Sequence, residues 1–354
     1  NVESRGLGDV YKRQFQYGKV EGKINLWKKK QSYLNEYRNR YSRPMVHPYW
    51  EYPNQNFDSH IYPRGAAVLH MLRQLVGDDV FKEFQEEFLN RFAFGNPTTE
   101  DLIGVFNDVA EKDYTWFFKQ WVLSAGHPQL NIESSWKKGE LTVAINQTQV
   151  GRKTPTKYYL PSKIAFFYKN EVVEEELIID RKRSIFRFDT KKEPLFVRFD
   201  PNDDLLVEIE QNHTYEGLLN KLKRDNVIGR MEAAKLLKKY IDEPKTFRSL
   251  KRVAVHDRSW FVRKAAVQSV ASEFTSKDFL IAFIREKHSQ PRRSLISEMS
   301  KYHPQDAIKL IRKYLDKDDS YIVQAEMIKQ LGNHGDASDI DRIKRYVELS
   351  LIHI

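Results

Sequence analysis

The sequence predicts a multi-domain, mainly α-helical chain with a small β-sandwich between two helical regions, on three observations. Apolar residues recur every three or four positions up to residue 128. From residue 129 to 211 they alternate with polar ones, in short runs separated by turn residues. From residue 212 to 348 the helical period returns, and similar segments recur at roughly thirty-residue spacing. A chain of 354 residues, 40% hydrophobic and 31% charged, is long enough to bury two or three cores.

Both ends stand apart. A DNA stretch encoding Asp9–Gln14 has a reverse complement that encodes Leu349–Ile354. The pair resembles opposite strands of one transposon end used in building sequencing libraries. Residues 1–14 and 349–354 are therefore expected to be translated adapter, with the natural protein continuing on both sides, and they carry no fold expectation.

From Phe15 to Arg43, Ile24, Leu26, Trp27, Tyr33, Leu34 and Tyr37 are spaced for a helix. Pro44, Pro48, Pro53 and Pro63 then forbid a continuous helix or a central strand, so Tyr49, Trp50, Tyr52 and Phe57 belong to an aromatic loop that lines a pocket or packs over a core. Pro63 biases Tyr62 toward extended backbone, so the next helix is expected to start only after it. That helix, Gly65–Val76, is apolar on nearly all sides and is expected to be central. Phe81, Phe84, Phe88 and Phe92 form an aromatic stripe suited to a core. Thr98 and Asp101 have capping-box spacing, Trp116, Phe117, Trp121 and Val122 form a further apolar face, and Gly126-His127-Pro128 closes the region.

Strand patterns follow at Leu141–Ile145, Lys163–Tyr168, Glu175–Ile179, Ser184–Phe188 and Leu195–Phe199, the spacing of a sandwich. After His213, Asp225 leads into Arg230–Leu237, Asp257 into Val262–Val267 and Asp318 into Ile322–Ile328, with a weaker copy at Arg292–Ile296. This is the pattern of paired helices stacked as a HEAT-like solenoid.

Several chemistries are excluded. The chain has no cysteine, which removes disulfides, thiolate metal sites and a cysteine nucleophile. No apolar run is long enough to cross a bilayer. The formal charge of +10 is spread among acids along helical faces, so nucleic acid is not the expected partner. No histidine sits in His-Glu-x-x-His, the one-turn spacing that aims two imidazoles at one zinc ion. His47 and Glu51 flank Pro48, and His60, His70 and His127 read as hydrogen-bonded structural histidines. There is no phosphate-binding glycine loop and no Gly-x-Ser-x-Gly.

Tyr62-Pro63-Arg64-Gly65 followed by Ala66–Leu72, Thr98–Leu102, Trp116–Trp121 and Gly126-His127-Pro128 together resemble the closing part of the catalytic domain in the M1 family of zinc aminopeptidases. The resemblance covers Phe15 to about Glu210, and residues 212–348 by architecture alone. It implies that residues 15–128 are the α-helical remnant of a thermolysin-like catalytic domain, followed by the sandwich and the solenoid. In that family a Zn²⁺ held by His-Glu-x-x-His and a later glutamate activates the water that attacks the first peptide bond of a substrate with a free amino terminus. The tyrosine matched by Tyr62 donates a hydrogen bond to the carbonyl oxygen as it becomes an oxyanion. No role transfers to Arg64, and Gly65 allows close backbone packing. The zinc ligands and the amine-binding acids precede the tyrosine, so they are expected upstream of this chain, which alone would be inactive. The bland alternative for Tyr62 is an aromatic pocket wall. The rival for the whole chain is a non-catalytic scaffold of the same architecture for protein or nucleic-acid contact.

Overall fold

Apolar spacing puts one face of helix α1 (Lys19–Asn39) into a core through Ile24, Leu26, Tyr33 and Leu34. The computed structural model describes residues 14–350 apart from Pro48, so the adapter reading of both ends lies almost wholly outside the described residues. The chain divides into two compact units, residues 1–213 and 214–354. It is mostly helical, with two small sheets.

In the first unit, helix α2 spans Tyr62–Val76 and starts at Tyr62, one residue before Pro63, instead of after it. Asp58 heads a turn that overrides the pre-proline bias: its carbonyl accepts the N–H groups of Ile61 and Tyr62, both at 3.3 Å. Helix α2 is also less central than its composition predicts. Ala66, Ala67, Val68, Met71 and Leu72 are buried, but Leu69, Leu75 and Val76 are only half-buried. One flank joins Phe88, Phe92 and Phe118 in lining an apolar groove.

Gly77, at φ 86°, adopts the left-handed backbone that separates α2 from α3 (Asp78–Arg91). Asp78 and Asp79 then complement the positive end of the new helix. Phe81 and Phe84 are buried and Phe88 and Phe92 half-buried, so the aromatic stripe faces a core. Helix α4 (Thr99–Val109) carries the expected capping box: Thr98 N–H donates to Asp101 at 2.8 Å, and Asp101 N–H to the Thr98 hydroxyl at 3.2 Å. Helix α5 (Thr115–Trp121) buries Phe117, Phe118 and Trp121. Gly126 follows at φ 75°, where a Cβ would stand 2.6 Å from Thr154 Oγ1.

Seven strands follow: β1 (Gln129–Lys137), β2 (Glu140–Gln147), β3 (Leu160–Phe167), β4 (Val172–Ile179), β5 (Arg183–Asp189), β6 (Phe196–Phe199) and β7 (Glu208–Gln211). They form a four-stranded sheet, β5-β2-β1-β7, and a three-stranded sheet, β4-β3-β6. Phe166 of one meets Phe188 of the other at 4.9 Å between ring centres. The pair β1 and β7 is parallel, Leu130 opposite Ile209. The residue pattern concealed β7 because two of its four residues are glutamates. A continuous core runs from Leu26 on α1 through Phe106, Trp121 and Ile145 to Leu206, so helices and sheets of this unit share one hydrophobic interior.

The second unit holds nine described helices: α6 (Tyr215–Arg224), α7 (Val227–Leu237), α8 (Pro244–His256), α9 (Trp260–Val270), α10 (Ser276–Arg285), α11 (Ser289–Tyr302), α12 (Pro304–Tyr314), α13 (Tyr321–His334) and α14 (Ile340–Ser350). Helices α7, α9, α11 and α13 pack in succession, each beside the next. Arg230 on α7 pairs with Asp257 at 2.9 Å, Arg263 on α9 with Glu286 at 2.6 Å, and Arg292 on α11 with Asp318 at 2.8 Å. Each acid also accepts the backbone N–H two residues on, at 2.8–2.9 Å, so it holds the N-cap residue of the next helix as well as pairing the arginine.

Candidate functional site

Tyr62 occupies the first helical position of α2 and is half-buried. Its ring stacks on Phe57, with centres 6.0 Å apart and planes at 29°. Among the described residues its hydroxyl has no hydrogen-bond partner, which leaves the proton available to a ligand. The loop before it is open: Tyr49, Trp50, Tyr52 and Phe57 are 52–79% exposed, so it covers no core in this chain.

The backbone carrying Tyr62 is held by a buried polar cluster. The Asp58 carboxylate accepts the N–H groups of His60 at 3.0 Å and Ile61 at 3.1 Å with one oxygen. With the other it accepts the Tyr41 hydroxyl at 2.9 Å and the Arg43 Nε at 2.9 Å. From α1, Glu36 accepts the Ser59 N–H at 2.6 Å. On the far side of Tyr62, the Arg64 side chain is fully buried. It donates to the carbonyls of Arg43 at 3.1 Å and Ser124 at 2.9 Å, with its guanidinium 5.3 Å from the Tyr33 ring centre. Sequence reasoning gave no role to Asp58, Arg43 or Arg64. Asp58, a turn-forming residue shortly before a proline-headed helix, was the available signal.

The histidines divide. His127 fits the expectation: its Nε2 meets Glu208 at 2.8 Å and its Nδ1 meets the Tyr33 hydroxyl at 3.2 Å. The neutral tautomer that donates from Nε2 and accepts at Nδ1 satisfies both contacts. Hydrogen bonds from His127, Arg38 and Gln129 hold the Glu208 carboxyl down to about 2, with burial opposing. His70 contacts Asp204 at 2.8 Å. His60 departs from the expectation. It is fully buried against the stacked Tyr41 ring, 5.2 Å between centres, and among the described residues neither ring nitrogen has a hydrogen bond. Burial, reinforced by Arg64 and Arg43 and opposed by Asp58 and Glu36, pushes its pKa down to about 4.

Lys30 is buried against the loop after β6 and donates to the Leu205 carbonyl at 2.8 Å. Burial raises Asp200 beside it to about 6. The Lys30 contact ties α1 to the loop after β6.

Among the described residues, Glu36, Asp58 and His60 are the one set of three acidic or imidazole groups close enough to share a metal ion. The set does not fit zinc. Arg43 already pairs with Asp58 at 2.8 Å and Arg40 with Glu36 at 2.9 Å. A divalent ion there would face the buried Arg43 guanidinium across a low-dielectric interior, with the exposed Arg40 adding a second like charge. No step through zinc is assigned to these residues.

Residues 3–121 match the Peptidase family M1 domain. The chain is 28% identical over 135 residues to mitochondrial aminopeptidase 2 of Saccharomyces cerevisiae, a match covering 37% of this chain and 14% of that protein. It is 35% identical over 71 residues to aminopeptidase N of Streptomyces lividans, covering 20% of this chain and 8% of that protein. A longer match, 25% identical over 239 residues, is to the tricorn protease-interacting factor F2 of Thermoplasma volcanium, covering 63% of this chain and 27% of that protein. The structure of Legionella pneumophila aminopeptidase A in complex with aspartic acid shares the fold, with a TM-score of 0.74 at 14% identity over 98% of this chain. That match covers 47% of the Legionella chain, so the present chain corresponds to about half of it and to smaller shares of the curated relatives. The similarity to peptidase family M1 thus lies in residues 3–121.

Proposed function

We propose that this chain is the carboxy-terminal part of a zinc-dependent aminopeptidase, which removes amino-terminal residues from peptides, and that Tyr62 is its oxyanion donor. The parent's zinc ligands and amine-binding acids lie on residues preceding Phe15, and the chain alone does not turn over. In this reading residues 15–128 complete a thermolysin-like catalytic domain, residues 129–211 form a β-sandwich and residues 212–348 a HEAT-like solenoid. The observation that carries it is the Tyr62 hydroxyl, unpartnered among the described residues, on a helix start fixed by buried hydrogen bonds. A donor held in place and aimed at charge that exists only in the transition state lowers the barrier without tightening the ground state. The expected substrates are peptides with a free amino terminus.

The experiment compares two proteins on an aminoacyl arylamide with added zinc. The parent enzyme, including its upstream segment, is expected to bind zinc and release the arylamine, and the present chain to do neither. Clear turnover by the present chain, or a zinc-free inactive parent, contradicts the proposal.

One observation favours the scaffold reading. Residues 214–354 hold 28 Lys and Arg against 19 Asp and Glu, so almost all of the net charge of +10 belongs to the second unit. His-Glu-x-x-His and its later glutamate in the gene upstream of Phe15 decide for the enzyme, and their absence decides for the scaffold.

A further inference from the structure

We propose that Asp58, clamped by Arg43, is the positioning residue for Tyr62; this rests on the reading of Tyr62 as oxyanion donor. A phenol on the first residue of a helix is aimed by the backbone that leads into it. Here that backbone is residues 58–62, and Asp58 holds it from both of its polar groups. Its carbonyl accepts the N–H of Ile61 and of Tyr62 itself. Its carboxylate accepts the N–H of His60 and Ile61.

The carboxylate is in turn immobile. Arg43 meets it through Nε at 2.9 Å and Nη2 at 2.8 Å, and their side chains are only 10% and 5% exposed. Arg43 is itself fixed. Its Nη1 donates to the carbonyls of Pro44 at 2.8 Å and Met45 at 3.2 Å, and its own carbonyl accepts from Arg64. Asp58 and Arg64 therefore hold the chain on either side of Tyr62, and both are tied to Arg43.

Without the Asp58 carboxylate, His60 and Ile61 lose their acceptor and Arg43 its partner, which loosens the turn that offsets the preference for extended backbone that Pro63 imposes on Tyr62, and the phenol shifts with it. Oxyanion donors act only within about 0.5 Å of the productive position, and a displacement near 1 Å costs about a hundredfold in rate.

The test is a double-mutant cycle in the parent enzyme with Asp58→Ala, Tyr62→Phe and the pair. Asp58→Ala alone is expected to lower kcat by about ten- to a hundredfold while KM and bound zinc stay unchanged. In the Tyr62→Phe background the same change is expected to cost less than about threefold, because its effect passes through the hydroxyl already removed. Asp58→Asn keeps an acceptor for the two N–H groups but loses the charge that holds Arg43. It is expected to show the same coupling at smaller amplitude, and it carries the cycle if Asp58→Ala does not fold. Losses that multiply in the double variant, or a loss of zinc or a raised KM in the Asp58 variants, overturn the positioning role and leave Tyr62 in place. A Tyr62→Phe rate near normal removes the oxyanion reading and the positioning role with it.

Discussion

Arg64 in the first unit and Arg263 in the second are both guanidiniums near the start of a helix, yet their surroundings differ. Arg263 meets both oxygens of Glu286, at 2.6 and 2.7 Å, and donates to the Asp257 carbonyl at 2.8 Å. The same arrangement recurs one repeat earlier at Arg230, and one repeat later Arg292 keeps a carbonyl contact, to Lys287, but reaches Asp318 and Asp319 through a single nitrogen. At the next repeat Gln324 keeps only the carbonyl contact, to Asp318 at 2.7 Å. Among the described residues Arg64 has no carboxylate partner: it donates to two carbonyls far apart in sequence, and its Nε is unpartnered. The second unit thus repeats one local solution, whereas the first unit uses each buried polar group once. The difference teaches where specific chemistry resides, because Tyr62 lies among the unrepeated contacts.

The largest stability effect is expected in the repeated region. Arg263→Met strands the Glu286 carboxylate in the interior, and breaking such a buried pair costs about 3–5 kcal/mol. Replacing both members by leucine should return most of that loss, since a buried pair contributes little over apolar packing. Urea unfolding of the single and double variants measures this. A single variant as stable as the wild type would break the comparison.

Arg64→Met is expected to cost about 3 kcal/mol by leaving two buried carbonyls without donors, and no apolar substitution elsewhere should restore it. Hydrogen exchange would locate the loss in residues 15–128; loss confined to residues 214–350 would contradict the account.

A smaller effect comes from His60. Its folded pKa of about 4 lies below the ordinary 6.5, so between those values the unfolded chain binds a proton that the folded chain refuses. Stability should therefore fall as pH drops from 6.5 to 4, and His60→Asn should flatten that slope. Urea midpoints across this range measure it, and a slope unchanged in the variant would remove His60 as its source. Least affected should be the exposed pair of Lys309 and Asp306, 3.0 Å apart, where Lys309→Ala should leave the urea midpoint unmoved.

Much of the fold was legible in the sequence because it rests on local rules. The helical and alternating periods located the helices of the first unit, four of the nine described helices of the second and five of the seven strands, and Thr98 and Asp101 announced the cap of α4. Strand β7 was not legible, since Glu208 is a buried-side acceptor for His127 and Gln129 rather than a surface charge. The start of α2 was missed because a pre-proline preference is a weak local bias, overcome by Asp58 and its distant partner Arg43. Of the site, the sequence offered Tyr62 by resemblance. It could not offer Arg64 or Arg43, because their partners are backbone carbonyls and a carboxylate brought near only by folding.

The most direct measurement is the steady-state rate of the parent enzyme carrying Tyr62→Phe, with zinc content checked. The account predicts a fall in kcat of about a hundred- to a thousandfold, with KM and zinc unchanged. A kcat within a few-fold of normal would take Tyr62 out of the mechanism.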